Sequence, residues 1–273
     1  MKMIVNSSFF DLPHINSILY YDQTDSTNER AKVFGRKTDV HGILFVAKEQ
    51  TAGKGRLGRS FISPSSDGIY MSLLLRPDIN LVHYPKLTIL TGVALAQAIK
   101  ELTGLTASIK WPNDIVIQGK KVAGILTESG TGYVIVGVGI NANNTLFPDS
   151  ISNIATSLFL ETGVFINPST LLYNFLEKFS SLYDTFLKTL NLSFVMNEYN
   201  GFLAGRNTPI YVIPKELSDT HPDSYSIDIT SLKPVICKGI NCQGELLCQT
   251  QTGETITLNS GEISIRGTNG YFS

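Results

Sequence analysis

The sequence predicts an α+β chain in which a larger unit of sheet and helices is followed by a small β unit, and three observations carry this. Two long stretches show apolar residues at helical spacing between recognisable caps and stops. Short apolar runs of strand type lie before and between them. Beyond about Gly201 only short β-type runs remain. A length of 273 residues suits one large and one small domain, and we divide the chain into 1–200 and 201–273.

The elements follow in order. Ser26 and Glu29 stand at capping-box spacing and open a helix toward Phe34, with Gly35 as its stop. Gly42 to Ala47 and Ile69 to Leu75 read as buried strands joined by the loop Gln50 to Ser60. From Pro85 to Leu102, Leu87, Leu90, Ala94, Leu95, Ala98, Ile99 and Leu102 mark a helix that Gly104 ends. Strands around Ile115 to Ile117, Val122 to Leu126 and Tyr133 to Val138 complete a mixed or antiparallel sheet. Asn167 caps a second long helix with Pro168 in its first turn and Leu172, Phe175, Phe179, Leu182 and Phe186 along one stripe. The small unit has runs at Ile210 to Ile213, Ser226 to Ile229, Val235 to Gly239, Glu245 to Cys248, Thr255 to Leu258 and Ile263 to Ile265, a pattern of barrel type. Between Pro214 and Pro234 we expect a mobile excursion.

Composition narrows the function. Hydrophobic content of 42% against 16% charged residues describes a chain able to bury a core. A formal net charge of -1 offers no global field for a polyphosphate backbone, so DNA is not an expected partner. No stretch approaches the roughly 20 apolar residues of a membrane span, and we expect a cytoplasmic protein. Cys237, Cys242 and Cys248 are an odd number in a long chain and lack CxxC spacing, so reduced thiols are expected ahead of a zinc site.

Two polar constellations stand out. Gly53-Lys54-Gly55-Arg56-Leu57-Gly58-Arg59 sets bare backbone amides among three cations, which suits an anion. Its letters also fit GxGxxG, but no helix follows and Asp78 is poorly placed as the distant acid. Read as a Walker loop it has Arg59 in place of lysine. A phosphate loop between strands must rely on its own cations and amides, and we expect it to order over its ligand. The second constellation, Lys110-Trp111-Pro112-Asn113-Asp114 followed by Lys121 to Leu126, can bring two lysines and an acid together, or else form core, turn and solvated charges. Asn141, after Gly137-Val138-Gly139-Ile140, either ends a strand or hydrogen-bonds a base edge.

With Asp25-Ser26-Thr27-Asn28, the segment Gln50 to Arg59, Lys110 to Asp114, Lys121 to Leu126 and Gly137 to Asn141 in this order, the chain resembles the biotin protein ligases. Gly244 to Leu247 and Gly261 to Arg266 resemble the family's carboxyl-terminal domain. The resemblance implies a class II synthetase-like central mixed sheet flanked by helices, with a small SH3-like β-barrel domain. It implies that biotin and ATP are bound side by side and joined as biotinyl-5'-AMP, and that the biotin then passes to a lysine of a biotin carboxyl carrier domain. Biotin would be held by Ser26, Thr27, Asn28, Gln50, Gly53, Lys54, Gly55, Arg56, Lys121 and Gly124. ATP would be held by Lys54, Arg56, Arg59, Phe61, Asn113 and Asn141, and magnesium by Asn113 and Asp114. Lys121, Arg56, Lys110 and Asp114 would carry the chemistry, with Asp114 the candidate to assist the acceptor's proton.

Departures qualify the resemblance. Lys54 stands where many members carry arginine, keeping the charge and losing the bidentate fork. Phe61 replaces the tryptophan of some members. Little precedes Asp25, so the form without an amino-terminal DNA-reading domain is expected, and no repressor activity. Pairing through sheet edges into a homodimer stays open. A lipoate-protein ligase, a non-catalytic biotin-sensing regulator and a simple nucleotide-binding module are the competing readings, and the basic loop together with Lys110 to Asp114 favours biotin.

Overall fold

The computed structural model describes residues 11–63, 67–214, 232–260 and 263–267. The expected strand Ser226 to Ile229, and all but the ends of the Pro214 to Pro234 segment, lie outside them.

Strands β1 (Ser17–Tyr21), β2 (Ile43–Ala47), β3 (Ile69–Leu75), β4 (Ser108–Lys110), β5 (Asp114–Ile117), β6 (Lys120–Gly130) and β7 (Tyr133–Ile140) form one seven-stranded sheet in the order β1-β2-β3-β7-β6-β5-β4. Only β1 and β2 pair in parallel, so the sheet is mixed. Strand β3 is buried along its whole length because helices cover the sheet on both faces. Helix α1 (Thr27–Gly35) packs Ala31 with Leu19, Ile43, Phe45, Leu74 and Ile135 on one face. Helix α2 (Lys86–Thr103) belongs to the larger core on the other face, and Gly104 ends it in left-handed backbone at φ 73°. A short α3 (Leu158–Thr162) precedes α4 (Pro168–Thr189) and α5 (Ser193–Phe202).

Helix α4 starts as its sequence predicts. The Asn167 side chain accepts from the backbone N–H groups of Ser169 and Thr170, and Phe175, Phe179 and Phe186 are buried against the core. Each such ring contributes roughly 1.5–3 kcal/mol by leaving water. At α1 the expectation fails in part. Ser26 is the N-cap, but its side chain makes no capping bond, and Glu29 turns to Lys32 and Lys54 instead of back to the cap.

The second sheet is antiparallel and five-stranded, with β8 (Pro209–Pro214), β9 (Val235–Ile240), β10 (Leu246–Gln249), β11 (Thr255–Leu258) and β12 (Ile263–Arg266) in the order β11-β10-β9-β8-β12. It docks on the first unit through the Trp111 Nε1–H bond to the Gly244 carbonyl (3.0 Å) and the Ala204 N–H bond to the Ile109 carbonyl (2.9 Å). All three cysteines are free, and Cys237 and Cys248 face each other as register partners on β9 and β10. Burial pushes their thiols up to about 11 and about 12, so both serve as small buried apolar groups. Among the described residues no group of His, Cys, Asp or Glu could hold a metal ion, and no helix is long and apolar enough to cross a membrane.

Candidate active site

The site lies on the face of the first sheet that carries α1, beyond that helix's amino end. Strand alternation explains why a hollow exists there. In β7 the side chains of Val136, Val138 and Ile140 join the main core, while Gly137 and Gly139 leave the opposite face bare. Gly124 of β6 pairs with Gly139 and extends the bare strip. The Phe61 ring fills part of it, since a Cβ on Gly139 would stand 2.6 Å from Phe61 Cε1 and one on Gly124 would stand 3.2 Å from Cε2.

Around this floor the pocket is lined by Ser26, Thr27, Asn28, Gln50, Lys54, Gly55, Arg56, Arg59, Phe61, Lys110, Asn113, Asp114, Lys121 and Gly124. Every expected site residue therefore reaches it except two. Gly53 closes the base of the loop instead, accepting the Phe61 N–H at 2.9 Å, and a Cβ there would meet the Phe61 carbonyl at 2.3 Å. Asn141 lies outside the lining, with its amide nitrogen donating to the Thr156 carbonyl at 3.0 Å. Its buried amide ties the end of β7 to the following segment, which the strand-end pattern left as an alternative.

The glycine loop is a hairpin and not a helix entry. Lys54 pairs with Ser60, the Gly55 N–H bonds the Arg59 carbonyl at 2.7 Å, and Leu57 (φ 55°) and Gly58 (φ 73°) turn the tip in left-handed backbone. Neither a dinucleotide fingerprint nor a Walker loop is formed. The turn delivers Arg56 inward, where its guanidinium donates to Asn113 Oδ1 at 3.1 Å and to the Ser260 carbonyl of the small sheet. Lys54 stays half exposed and bonds Glu29 at 2.7 Å.

Cations outnumber acids at the centre. Lys121 Nζ lies 2.7 Å from Asp114 Oδ1 and 5.6 Å from the Phe61 ring centre. Lys110 is buried beside them, and burial together with the neighbouring Arg266, Lys121 and Arg59 holds its ammonium well below the ordinary lysine range, against the pull of Asp114. A buried cluster of this kind is poised for an anion, which offsets the mutual repulsion.

Arg266 also lines the pocket, a role that its sequence gave no sign of. It comes from β12, is only 5% exposed, and makes the small sheet part of the pocket wall. Ser72 was also missed. It is wholly buried beneath Thr27 and Asn28, at 2.7 Å and 2.5 Å from their side-chain oxygens. A lone serine inside IYMSLLL was its only signal.

Residues 20–143 match the model of the Biotin/lipoate A/B protein ligase family. The chain is 41% identical over 177 residues to the bifunctional ligase/repressor BirA of Bacillus subtilis, covering 62% of this chain and 54% of that one. It is 35% identical over 149 residues to the biotin–acetyl-CoA-carboxylase ligase of Mycobacterium tuberculosis, covering 52% and 54%. The chain thus spans about half the length of these curated relatives. Among solved structures, the biotin protein ligase from Aquifex aeolicus in complex with biotin and ATP superposes with a TM-score of 0.77 at 28% identity, covering 93% of this chain and 100% of that one.

Proposed function

We propose that the protein is an ATP-dependent biotin protein ligase that makes biotinyl-5'-AMP and pyrophosphate, then transfers biotin to a lysine of a biotin carboxyl carrier domain. The observation that carries this reading is the meeting of Arg56, Lys110 and Lys121 around Asp114, beside the polar wall of Ser26, Thr27, Asn28 and Gln50. The family domain and the biotin- and ATP-bound neighbour from Aquifex aeolicus support it.

In the first step a carboxylate oxygen attacks the α-phosphorus of ATP, and the bond to the bridging oxygen of the β-phosphoryl group breaks, releasing pyrophosphate. Two anions approaching to 4 Å repel by about 4 kcal/mol at an effective dielectric of 20. Lys121 and Arg56 offset that repulsion and stabilise the charge that develops. In the second step the acceptor's neutral amine attacks the acyl carbon and AMP leaves with the former carboxylate oxygen. Asp114 is our candidate for taking the amine's proton. No nucleophile of the enzyme is required.

Magnesium is expected with ATP, and the donor set sets limits on it. Asp114 is one carboxylate already bonded by Lys121 and by the Asn113 amide, and Asn113 Oδ1 accepts from Arg56. These residues do not make a dedicated metal cage. They suit a magnesium ion that arrives on the phosphates and keeps its waters.

The test is to incubate the protein with ATP, magnesium and either biotin or lipoate, and to measure the adenylate by mass. We expect the biotinyl product alone. A lipoyl product alone transfers the reading to the lipoate ligases, and no adenylate from either acid refutes it.

A further inference from the structure

A primary amide can turn over and exchange its donor for its acceptor, so the face that Asn28 shows the pocket depends on its partners. Two of them can only accept. Asn28 Nδ2 donates to the Leu126 carbonyl at 3.3 Å and to Glu128 Oε2 at 2.8 Å. The Ser72 hydroxyl donates to Asn28 Oδ1 at 2.5 Å. Gly137 makes room for that oxygen, since a Cβ there would stand 2.1 Å from it.

The neighbouring pair is locked in the same sense. The Thr27 backbone N–H, a pure donor, bonds Gln50 Oε1 at 2.8 Å, and the Thr27 hydroxyl donates to the same oxygen at 3.1 Å. Gln50 therefore turns its nitrogen to Ser63, at 3.0 Å. The hydroxyl protons of Thr27 and Ser72 and both amide protons of Asn28 are directed within the protein, and what Thr27 Oγ1 and Asn28 Oδ1 keep are lone pairs.

We propose that Glu128 is a positioning residue that determines head-group specificity, by holding Asn28 with its oxygen toward the ligand so that the pocket selects a ring bearing N–H donors, as in a cyclic urea. This rests on the biotin reading above and extends it to a residue outside the pocket lining. A head group without N–H donors leaves buried acceptors unpaired and is rejected. Glu128 itself is held by Lys32, whose Nζ lies 2.6 Å from Oε1 and also 3.0 Å from Glu29.

The lysine makes the idea testable with an isosteric change. In Glu128→Gln the Lys32 ammonium claims the glutamine oxygen, the glutamine NH₂ faces Asn28, and the asparagine turns over. By calorimetry without ATP, biotin affinity is expected to fall by about tenfold or more, as for a site whose donor and acceptor no longer match, while ATP affinity stays within about twofold. Adding Lys32→Met frees the glutamine oxygen to face Asn28 and restores most of the loss. Biotin affinity within about twofold of the unmutated protein at an unchanged Tm, an equal loss for biotin and ATP, or no recovery in the double variant would overturn the proposal. If the unmutated protein binds no biotin, the proposed function fails. The polarity of Asn28 is then decided by its side-chain ¹⁵N resonance, which shifts in Glu128→Gln and returns in the double variant, or overturns the proposal by not moving.

Discussion

Lys121 stands where the acid, the aromatic ring and the glycine strip meet, 2.7 Å from Asp114 and 3.0 Å from where a Cβ of Gly124 would lie. Shortening it to alanine removes the cation to which the proposed function gives the charge of its first step. Lys121→Ala should lower pyrophosphate exchange by about 10²-fold or more with Tm little changed, and exchange at the full rate would remove Lys121 from its role. Lys110 makes a different prediction, about protons. Its depressed folded-state pKa means that the folded chain binds fewer protons than the unfolded one between that value and the ordinary lysine value of about 10.4. Stability linked to Lys110 therefore rises with pH across that window and is lowest below it. An incoming anion reverses the repulsion from Arg266, Lys121 and Arg59, so binding the adenylate should take up protons in the same window. Calorimetry in two buffers of different ionisation enthalpy measures this, and proton release would contradict it. At this scale the sequence was informative for charged residues in runs, as in GKGRLGR and KWPND. It was silent on Ser72 and Glu128, whose partners lie far along the chain.

Elements with their own start and stop signals were legible. Asn167-Pro168 and Gly104 mark the ends of α4 and α2 because caps and left-handed stops are local chemistry. Asn167→Ala should lower stability by about 1 kcal/mol in denaturant unfolding and leave adenylate formation unchanged, since the cap lies outside the pocket. The misses have a common cause. Strand β1, with SILYY, and the three-residue β4 are the two edge strands of the first sheet, each placed by a single neighbouring strand. Helix α5 lay at the point where the texture changes to strands and was overlooked. At α1 the capping box was spelled in the sequence but not made, because Glu29 found Lys32 and Lys54. Ser26 is left with its side chain at the pocket and uncommitted to the cap.

For the whole molecule, the small sheet is part of the site. Arg266 from β12 lines the pocket, and the Ser260 carbonyl before it receives Arg56. Arg266→Gln should raise the KM for ATP by about tenfold, the effect of losing roughly 1.4 kcal/mol of anion binding, while circular dichroism stays native. An unchanged KM would separate the small sheet from ATP binding. We propose that the two units part near residue 200, at the end of α5.

By itself the sequence determined the fold class, the order of the principal helices and strands, and which runs of cations and glycines could meet an anion, because periodicity, caps and local charge are written within a few residues of one another. Tertiary structure decided which of those residues share a pocket. It set Gly53 at the base of the loop and Asn141 against Thr156, both outside the pocket lining, and brought Arg266 across from the second sheet. It also aimed the hydrogen bonds of Thr27, Asn28 and Gln50, since the direction of a proton depends on partners that only folding brings within about 3 Å.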